Sequence, residues 1–106
     1  MSKGMSKMSK TSKKMSKHPE QTHFFVRIWG SRPHFSEVSG QFLGNEPLSV
    51  FFHHILSKEK YPQAALDEEN IILLTLQEHD QVEMDMYRYD EVNKRRENLL
   101  IKYNLK

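Results

Sequence analysis

ENIILLTLQEHDQVEMDMYRY, residues 69–89, is the stretch from which the predicted sheet is built. Its apolar run at residues 71–76 is long enough for a strand covered on both faces and short for a helix. After a polar turn, residues 82–89 alternate between apolar and polar side chains, which is the period of a half-buried strand. The pattern predicts a β-hairpin, with the valine and the methionines inward and with Tyr87 and Tyr89 outward.

Two helices are predicted around this hairpin. Upstream of it, Asn45 is a suitable N-cap, and apolar side chains then recur at the spacing of an amphipathic helix. These apolar residues are Leu48, Phe51, Phe52, Ile55 and Leu56. Downstream, Asp90 is expected to cap a helix that ends at about Tyr103 and buries the aliphatic stem of Arg96.

The N-terminal part of the folded region is predicted to be a strand. Residues 22–29 are rich in aromatic and β-branched side chains, and Phe25, Arg27 and Trp29 would lie on the face opposite the core positions. Residues 35–43 are ambiguous, since their aromatic residues suit a returning strand but a glycine and uneven spacing do not. The resulting order, β-β-α-β-β-α, predicts a two-layer α+β domain with a mainly antiparallel sheet and helices on one face.

Charge is unevenly divided along the chain, although the formal net charge is only +2. Residues 1–17 repeat a Met-Ser-Lys unit and hold six lysines without any acidic residue. These are Lys3, Lys7, Lys10, Lys13, Lys14 and Lys17. The other 10 of the 16 Lys and Arg residues, and all 14 Asp and Glu residues, lie downstream and give that part a charge of −4. Because serine and lysine bury little apolar surface, residues 1–20 are predicted to be a disordered tail and residues 21–106 a single small domain.

Composition excludes several classes of protein. The 106 residues contain no cysteine, which excludes disulfide scaffolds, thiolate zinc fingers and thiol enzymes. No apolar run approaches the roughly 20 residues that cross a bilayer, and no apolar segment behind the basic N-terminus forms a secretory signal. We therefore expect an intracellular, cytoplasmic protein without a membrane partner, and leave open that the basic tail targets an organelle.

Catalytic and metal-binding patterns are weak. The four glycines fit no phosphate-binding loop, and the histidine, serine and acid within residues 34–37 are too close on an extended chain to form a triad. His53 and His54 are adjacent on the predicted helix, so they would project about 100° apart and would not chelate one ion together. The sequence therefore predicts no enzyme, no cofactor and no metal ligand. A histidine cluster assembled by the fold stays open, with a small metal-dependent enzyme as the weakest hypothesis.

The predicted function is protein binding, by an inhibitor or adaptor module. Tyrosine, tryptophan and arginine are preferred anchors of protein interfaces, and five such aromatic or basic positions fall on the outward faces of the predicted strands. They are Phe25, Arg27, Trp29, Tyr87 and Tyr89. Glu83 and Asp85 would share this face and repel phosphate, which favours a protein partner of unknown identity over nucleic acid.

The alternative hypothesis is a nucleic-acid- or ribosome-associated protein. Six tail lysines would bind phosphate groups without sequence specificity. The basic cluster Lys94, Arg95 and Arg96 on the last helix would contribute further phosphate contacts. This hypothesis predicts an affinity that falls steeply with salt and is lost when the tail is removed.

Overall fold

The computed structural model describes residues 19–106, and within that range it contains three α-helices and one two-stranded antiparallel sheet. The helices are α1 (Pro19–Ser31), α2 (Leu76–Met84) and α3 (Asp90–Lys102). The strands are β1 (Phe52–His54) and β2 (Ile71–Leu73). Short 3₁₀ helices span Ser49–Phe51, Pro62–Ala64 and Glu68–Asn70. These elements make an α+β fold, but their order along the described chain is α-β-β-α-α rather than β-β-α-β-β-α.

The strand β2 lies at the centre of the core. It pairs with β1 so that Phe52 is opposite Leu73 and His53 is opposite Ile72. All of its side chains are fully buried, which confirms the predicted strand covered on both faces for residues 71–73. The predicted run extended to residue 76, but Leu76 is an exposed residue of α2. Because successive strand residues point to opposite faces, Ile71 and Leu73 join an apolar cluster with α1, whereas Ile72 joins one with α2 and α3. Apolar clusters therefore cover both faces of the sheet, in place of the predicted two layers.

Residues 22–29 belong to α1, so the strand predicted there is wrong. Phe24, Phe25, Ile28 and Trp29 are spaced at i, i+1, i+4 and i+5, which puts all four on one face of a helix. All four are buried in the cluster against the sheet. A strand would divide these side chains between two faces, whereas the helix buries them together and satisfies its own backbone hydrogen bonds.

The chain downstream of Asn45 does not form the predicted helix either. It makes a 3₁₀ turn and then β1. The predicted apolar stripe is split, because Phe52 packs on the α1 side of the sheet while Ile55 and Leu56 pack on the side of α2 and α3. A helix would hold these three side chains on one face. Pairing with β2 instead satisfies the backbone groups of β1 and sends the side chains to both clusters.

The predicted outer strand of the hairpin is replaced by α2 and a loop. Thr75 caps α2, since its hydroxyl accepts a hydrogen bond from the Glu78 N–H at 3.0 Å and its own N–H donates to the Glu78 carboxylate at 2.9 Å. This capping box starts a helix that runs through residues 78–81, where a turn was predicted. Val82 is buried as predicted, but Met84 and Met86 are exposed to 87% and 45% instead of pointing inward.

The last helix is confirmed. α3 runs over Asp90–Lys102 and buries Val92, Leu99 and most of Arg96. Its N-cap residue is Tyr89, which makes no side-chain capping bond, so the predicted capping role of the aspartate is wrong.

The remaining predictions concern the connecting and N-terminal segments. Residues 35–43 form an isolated antiparallel bridge, between Phe35 and Phe42, rather than a strand. The predicted tail lies outside the described residues except for its last two, which begin α1. No helix within residues 19–106 combines the length and mean hydropathy needed to cross a membrane.

Candidate functional site

A surface depression of about 510 Å³ lies where β1, the α2–α3 connection and α3 meet. We call it the basin. Its apolar wall includes Met86, Tyr87 and Leu100, and its polar wall includes His53 and Glu83. A volume of this size is in the range of ligand pockets and of the pockets that hold interface anchors. The basin therefore brings apolar, basic, imidazole and carboxylate side chains together.

The loop between α2 and α3 presents apolar side chains to solvent at the edge of the basin. Met86 is exposed, as noted above, and Tyr87 is exposed to 66%. Met84, the last residue of α2, is exposed next to the loop. The loop backbone is nevertheless held in place, because the Tyr87 N–H donates to the Asp85 carboxylate at 3.0 Å and Asn93 donates to the Tyr87 carbonyl at 2.9 Å. The exposure of these side chains is thus a property of a hydrogen-bonded loop.

Arg96 lies beneath this loop with only 8% of its surface exposed. Its guanidinium donates to the Asn93 side chain at 2.8 Å and to the Met86 carbonyl at 2.6 Å, and it lies 5.1 Å from the centre of the Tyr87 ring. Its Nε–H has no acceptor, and no carboxylate lies within 4.0 Å of the guanidinium, among the residues that the structure describes. Burial lowers the pKa of Arg96. Together with Lys60, which also lines the basin, Arg96 gives this side of the basin positive charge that no carboxylate within residues 19–106 pairs.

Two histidines and a glutamate cluster on the other side. The Glu83 carboxylate lies 3.4 Å from His79 Nε2 and 3.7 Å from His53 Nδ1. The two imidazole rings meet edge to face at 5.0 Å, and one potential ligand atom from each of the three residues lies within 4.8 Å of the others. We call these three residues the His-His-Glu cluster. It holds the donor types that a transition metal ion uses in proteins.

A hydrogen bond sets the tautomer of His79, and burial sets the protonation of His53. His79 Nδ1 lies 2.7 Å from the Val50 carbonyl, which only accepts, so this nitrogen carries the proton and donates. In the neutral ring, Nε2 therefore has the lone pair, and it faces Glu83. Burial, followed by the nearby His79, His54 and Arg96, lowers the pKa of His53 to about 4, so that this ring is neutral at pH 7.

A further depression, of about 460 Å³, lies between α3 and the end of α1. Its charged groups neutralise one another. Glu37 lies 2.7 Å from Arg32 and 3.0 Å from Arg95, and Arg95 also bonds Glu91 at 2.8 Å. These contacts tie α1 to α3, and they leave no unpaired charge for a ligand.

The structure disperses the five residues predicted to bind a protein partner. Phe25 and Trp29 are buried in α1, so the prediction that they are exposed is wrong. Arg27 is exposed but pairs with Glu68 at 3.0 Å, and Tyr89 is half-buried with its hydroxyl bonded to Gln81. Of the predicted set, Tyr87 alone lines the basin.

The basic cluster on α3 does not form a common surface. Lys94 is exposed, Arg95 is bonded to two carboxylates, and Arg96 is buried under the α2–α3 loop. Three consecutive helical residues project about 100° apart, which explains this divergence. The six lysines predicted to bind phosphate lie outside the described residues.

The sequence interpretation missed the His-His-Glu cluster. Placing His53 and His54 on a helix led to the expectation that they were not ligands, whereas on β1 they point to opposite faces and His54 bonds the Ala65 carbonyl at 3.0 Å. One local signal was available, because His79 and Glu83 are spaced i, i+4 as on one face of a helix. The third residue is brought in only by the sheet.

The chain matches no protein family model, no curated protein and no solved structure. The proposals below therefore rest on the geometry of the basin and of the His-His-Glu cluster.

Proposed function

We propose that this chain is a protein-interaction module rather than an enzyme, and that its partner binds at the basin. The observation that carries the proposal is the exposure of Met86 and Tyr87 on the hydrogen-bonded α2–α3 loop, next to the exposed last residue of α2, Met84. Methionine side chains adapt to varied apolar surfaces, and tyrosine is a frequent anchor of protein interfaces. Exposed apolar side chains that are grouped around a depression mark interaction surfaces more often than isolated ones do.

The positive charge in the basin indicates that the partner carries an acidic residue there. Arg96 and Lys60 supply positive charge beside the apolar wall, and no carboxylate in the described part of the chain pairs with that arginine. A partner segment that inserts an aliphatic or aromatic side chain and places an aspartate or glutamate next to it would satisfy both features. We therefore propose a short acidic-hydrophobic peptide segment as the bound element.

The proposal is tested by selecting binders to the full chain from a random peptide library and measuring their affinity by fluorescence anisotropy. The selected peptides should combine an apolar residue with an adjacent acid. Tyr87→Ala should weaken their binding about tenfold, the loss expected for a well-placed interface anchor. Ile101→Ala is the matched control, because Ile101 is exposed on α3 and does not line the basin.

Two charge-reversal variants test whether binding requires the positive charge in the basin. Lys60→Glu and Lys94→Glu change the net charge equally, but only Lys60 lines the basin. We expect Lys60→Glu to weaken binding at least fivefold and Lys94→Glu to leave it within twofold, a difference of about 1 kcal/mol. Peptides that bind Tyr87→Ala as tightly as the unmodified chain would overturn the proposal, and so would a library that yields no binder.

A further inference from the structure

The His-His-Glu cluster is held by rigid elements. His53 belongs to β1 and lies opposite the fully buried Ile72 of β2. His79 and Glu83 lie one helical turn apart on α2, whose first turn is fixed by the capping box of Thr75. Side chains carried by a packed strand and a capped helix lose little further freedom when they bind an ion, so the cluster is preorganised.

The distances suit a transition metal ion. Tetrahedral zinc, with bonds of about 2.0–2.2 Å to nitrogen and oxygen, holds its ligand atoms about 3.4 Å apart. Here the carboxylate of Glu83 lies 3.4 Å from His79 Nε2 and 3.7 Å from His53 Nδ1, and the three donor atoms fall within 4.8 Å of one another. No separation therefore exceeds the tetrahedral value by more than about 1.4 Å.

The groups around the cluster also support metal ligation. The Val50 carbonyl accepts the Nδ1 proton of His79 and so directs the Nε2 lone pair toward the cluster, as the hydrogen-bond acceptors behind ligating histidines do in metal sites. No hydrogen bond from another described residue occupies the ring nitrogens of His53.

All three side chains line a depression of about 320 Å³ on the surface, which gives an ion a path from solvent. We propose that His53, His79 and Glu83 together bind one divalent transition metal ion, of the class represented by Zn²⁺. Two imidazoles and a carboxylate favour such an ion over Mg²⁺, which prefers oxygen ligands. Three protein ligands leave a coordination position for water or an exogenous ligand. The site shares His53 and Glu83 with the basin, but its test uses no peptide, so failure of one proposal is distinguishable from failure of the other.

The proposal is tested by titrating the full chain with ZnCl₂ in a calorimeter and with CoCl₂ in a visible-absorption spectrometer. We expect one ion per chain and, for Co²⁺, the absorption bands of a site with nitrogen and oxygen ligands. Glu83→Gln should weaken Zn²⁺ binding at least tenfold and change the Co²⁺ spectrum. MgCl₂ should give no binding. Bound Zn²⁺ should also raise the Tm of the unmodified chain but not of Glu83→Gln, because an ion that binds only the folded state stabilises it.

The variants are chosen to preserve folding. His53 is buried, so its replacement also disturbs the core, whereas Glu83 is mostly exposed and the His79 side chain is 22% exposed. His79→Gln should likewise weaken Zn²⁺ binding at least tenfold. His23→Ala is the matched control, since His23 is an exposed histidine of α1 outside the cluster. The proposal is overturned if Glu83→Gln and His79→Gln bind Zn²⁺ as tightly as His23→Ala does, or if the unmodified chain binds none.

Discussion

Trp29 lies in the apolar cluster between α1 and the sheet. Its indole ring stacks on His34 with 3.8 Å between ring centres, and it lies about 6 Å from the rings of Phe51 and Phe52. His34 is itself held, since its Nε2 lies 2.9 Å from the Trp29 carbonyl. Tyr87 has the opposite environment, with its ring largely in solvent. Trp29 is therefore part of the core and Tyr87 is a surface residue, although both were predicted to bind a partner.

We expect Trp29→Ala to lower the free energy of unfolding by about 3–5 kcal/mol, because it leaves a large cavity in the core. Tyr87→Ala should cost about 1 kcal/mol or less, since it removes only an exposed ring and its contact with the guanidinium of Arg96. Urea unfolding followed by circular dichroism compares the two variants. Equal losses of stability would contradict the burial of Trp29.

At the scale of elements, Glu78 connects the start of α2 to the turn at residues 36–39. The carboxylate of this buried residue accepts hydrogen bonds from the Ser36 hydroxyl at 2.6 Å and from the Thr75 N–H at 2.9 Å. The Ser36 hydroxyl also accepts from the N–H groups of Val38 and Ser39. Burial by itself would raise the pKa of Glu78, but the hydrogen bonds from Ser36 and Thr75 outweigh it and lower the pKa.

A group whose pKa is lower in the folded state stabilises the fold above its unfolded pKa, here about 4.5, and loses this contribution as the pH falls through the folded value. We therefore expect Glu78→Gln to be less stable than the unmodified chain by about 1–2 kcal/mol at pH 7, with the difference shrinking below pH 4.5. Urea unfolding at several pH values measures this difference. A gap that stays constant down to pH 2 would show that the charge of Glu78 is not involved.

At the scale of the whole molecule, basic residues differ in how many acidic residues accompany them, between residues 1–17 and the rest of the chain. Several basic side chains of the described part are paired with carboxylates, such as Lys102 with Asp67 at 2.7 Å and Lys106 with Glu97 at 2.6 Å. Residues 1–17, in contrast, contain six lysines and no acidic residue. The nucleic-acid hypothesis therefore predicts that these six lysines supply most of the contacts with phosphate.

If the chain binds RNA, we expect the plot of log affinity against log salt to have a slope of about −4, the value for six phosphate contacts on a single strand. Replacing all six lysines with glutamine should abolish both the binding and its salt dependence, whereas Lys94→Gln should change neither by more than a small amount. Filter binding at several salt concentrations measures both quantities. Unchanged affinity after the six replacements would place the phosphate contacts elsewhere in the chain.

The buried strand and the last helix could be predicted from sequence because each has a pattern that only one structure satisfies. The run at residues 71–74 is apolar at every position, which suits a short strand covered on both faces, and α3 has a sustained helical period. The capping box at Thr75 and Glu78 was also readable, but the alternating residues after it favoured a strand.

Tertiary structure alone decided α1, β1 and the candidate metal site. The aromatic residues of α1 fit either a helix or a strand over so short a segment, and their common burial against the sheet selects the helix. The apolar residues of β1 fit a helical stripe, but pairing with β2 selects the strand. His53 reaches His79 and Glu83 only through that pairing, because local periodicity describes neighbours along one element and carries no information about which elements meet.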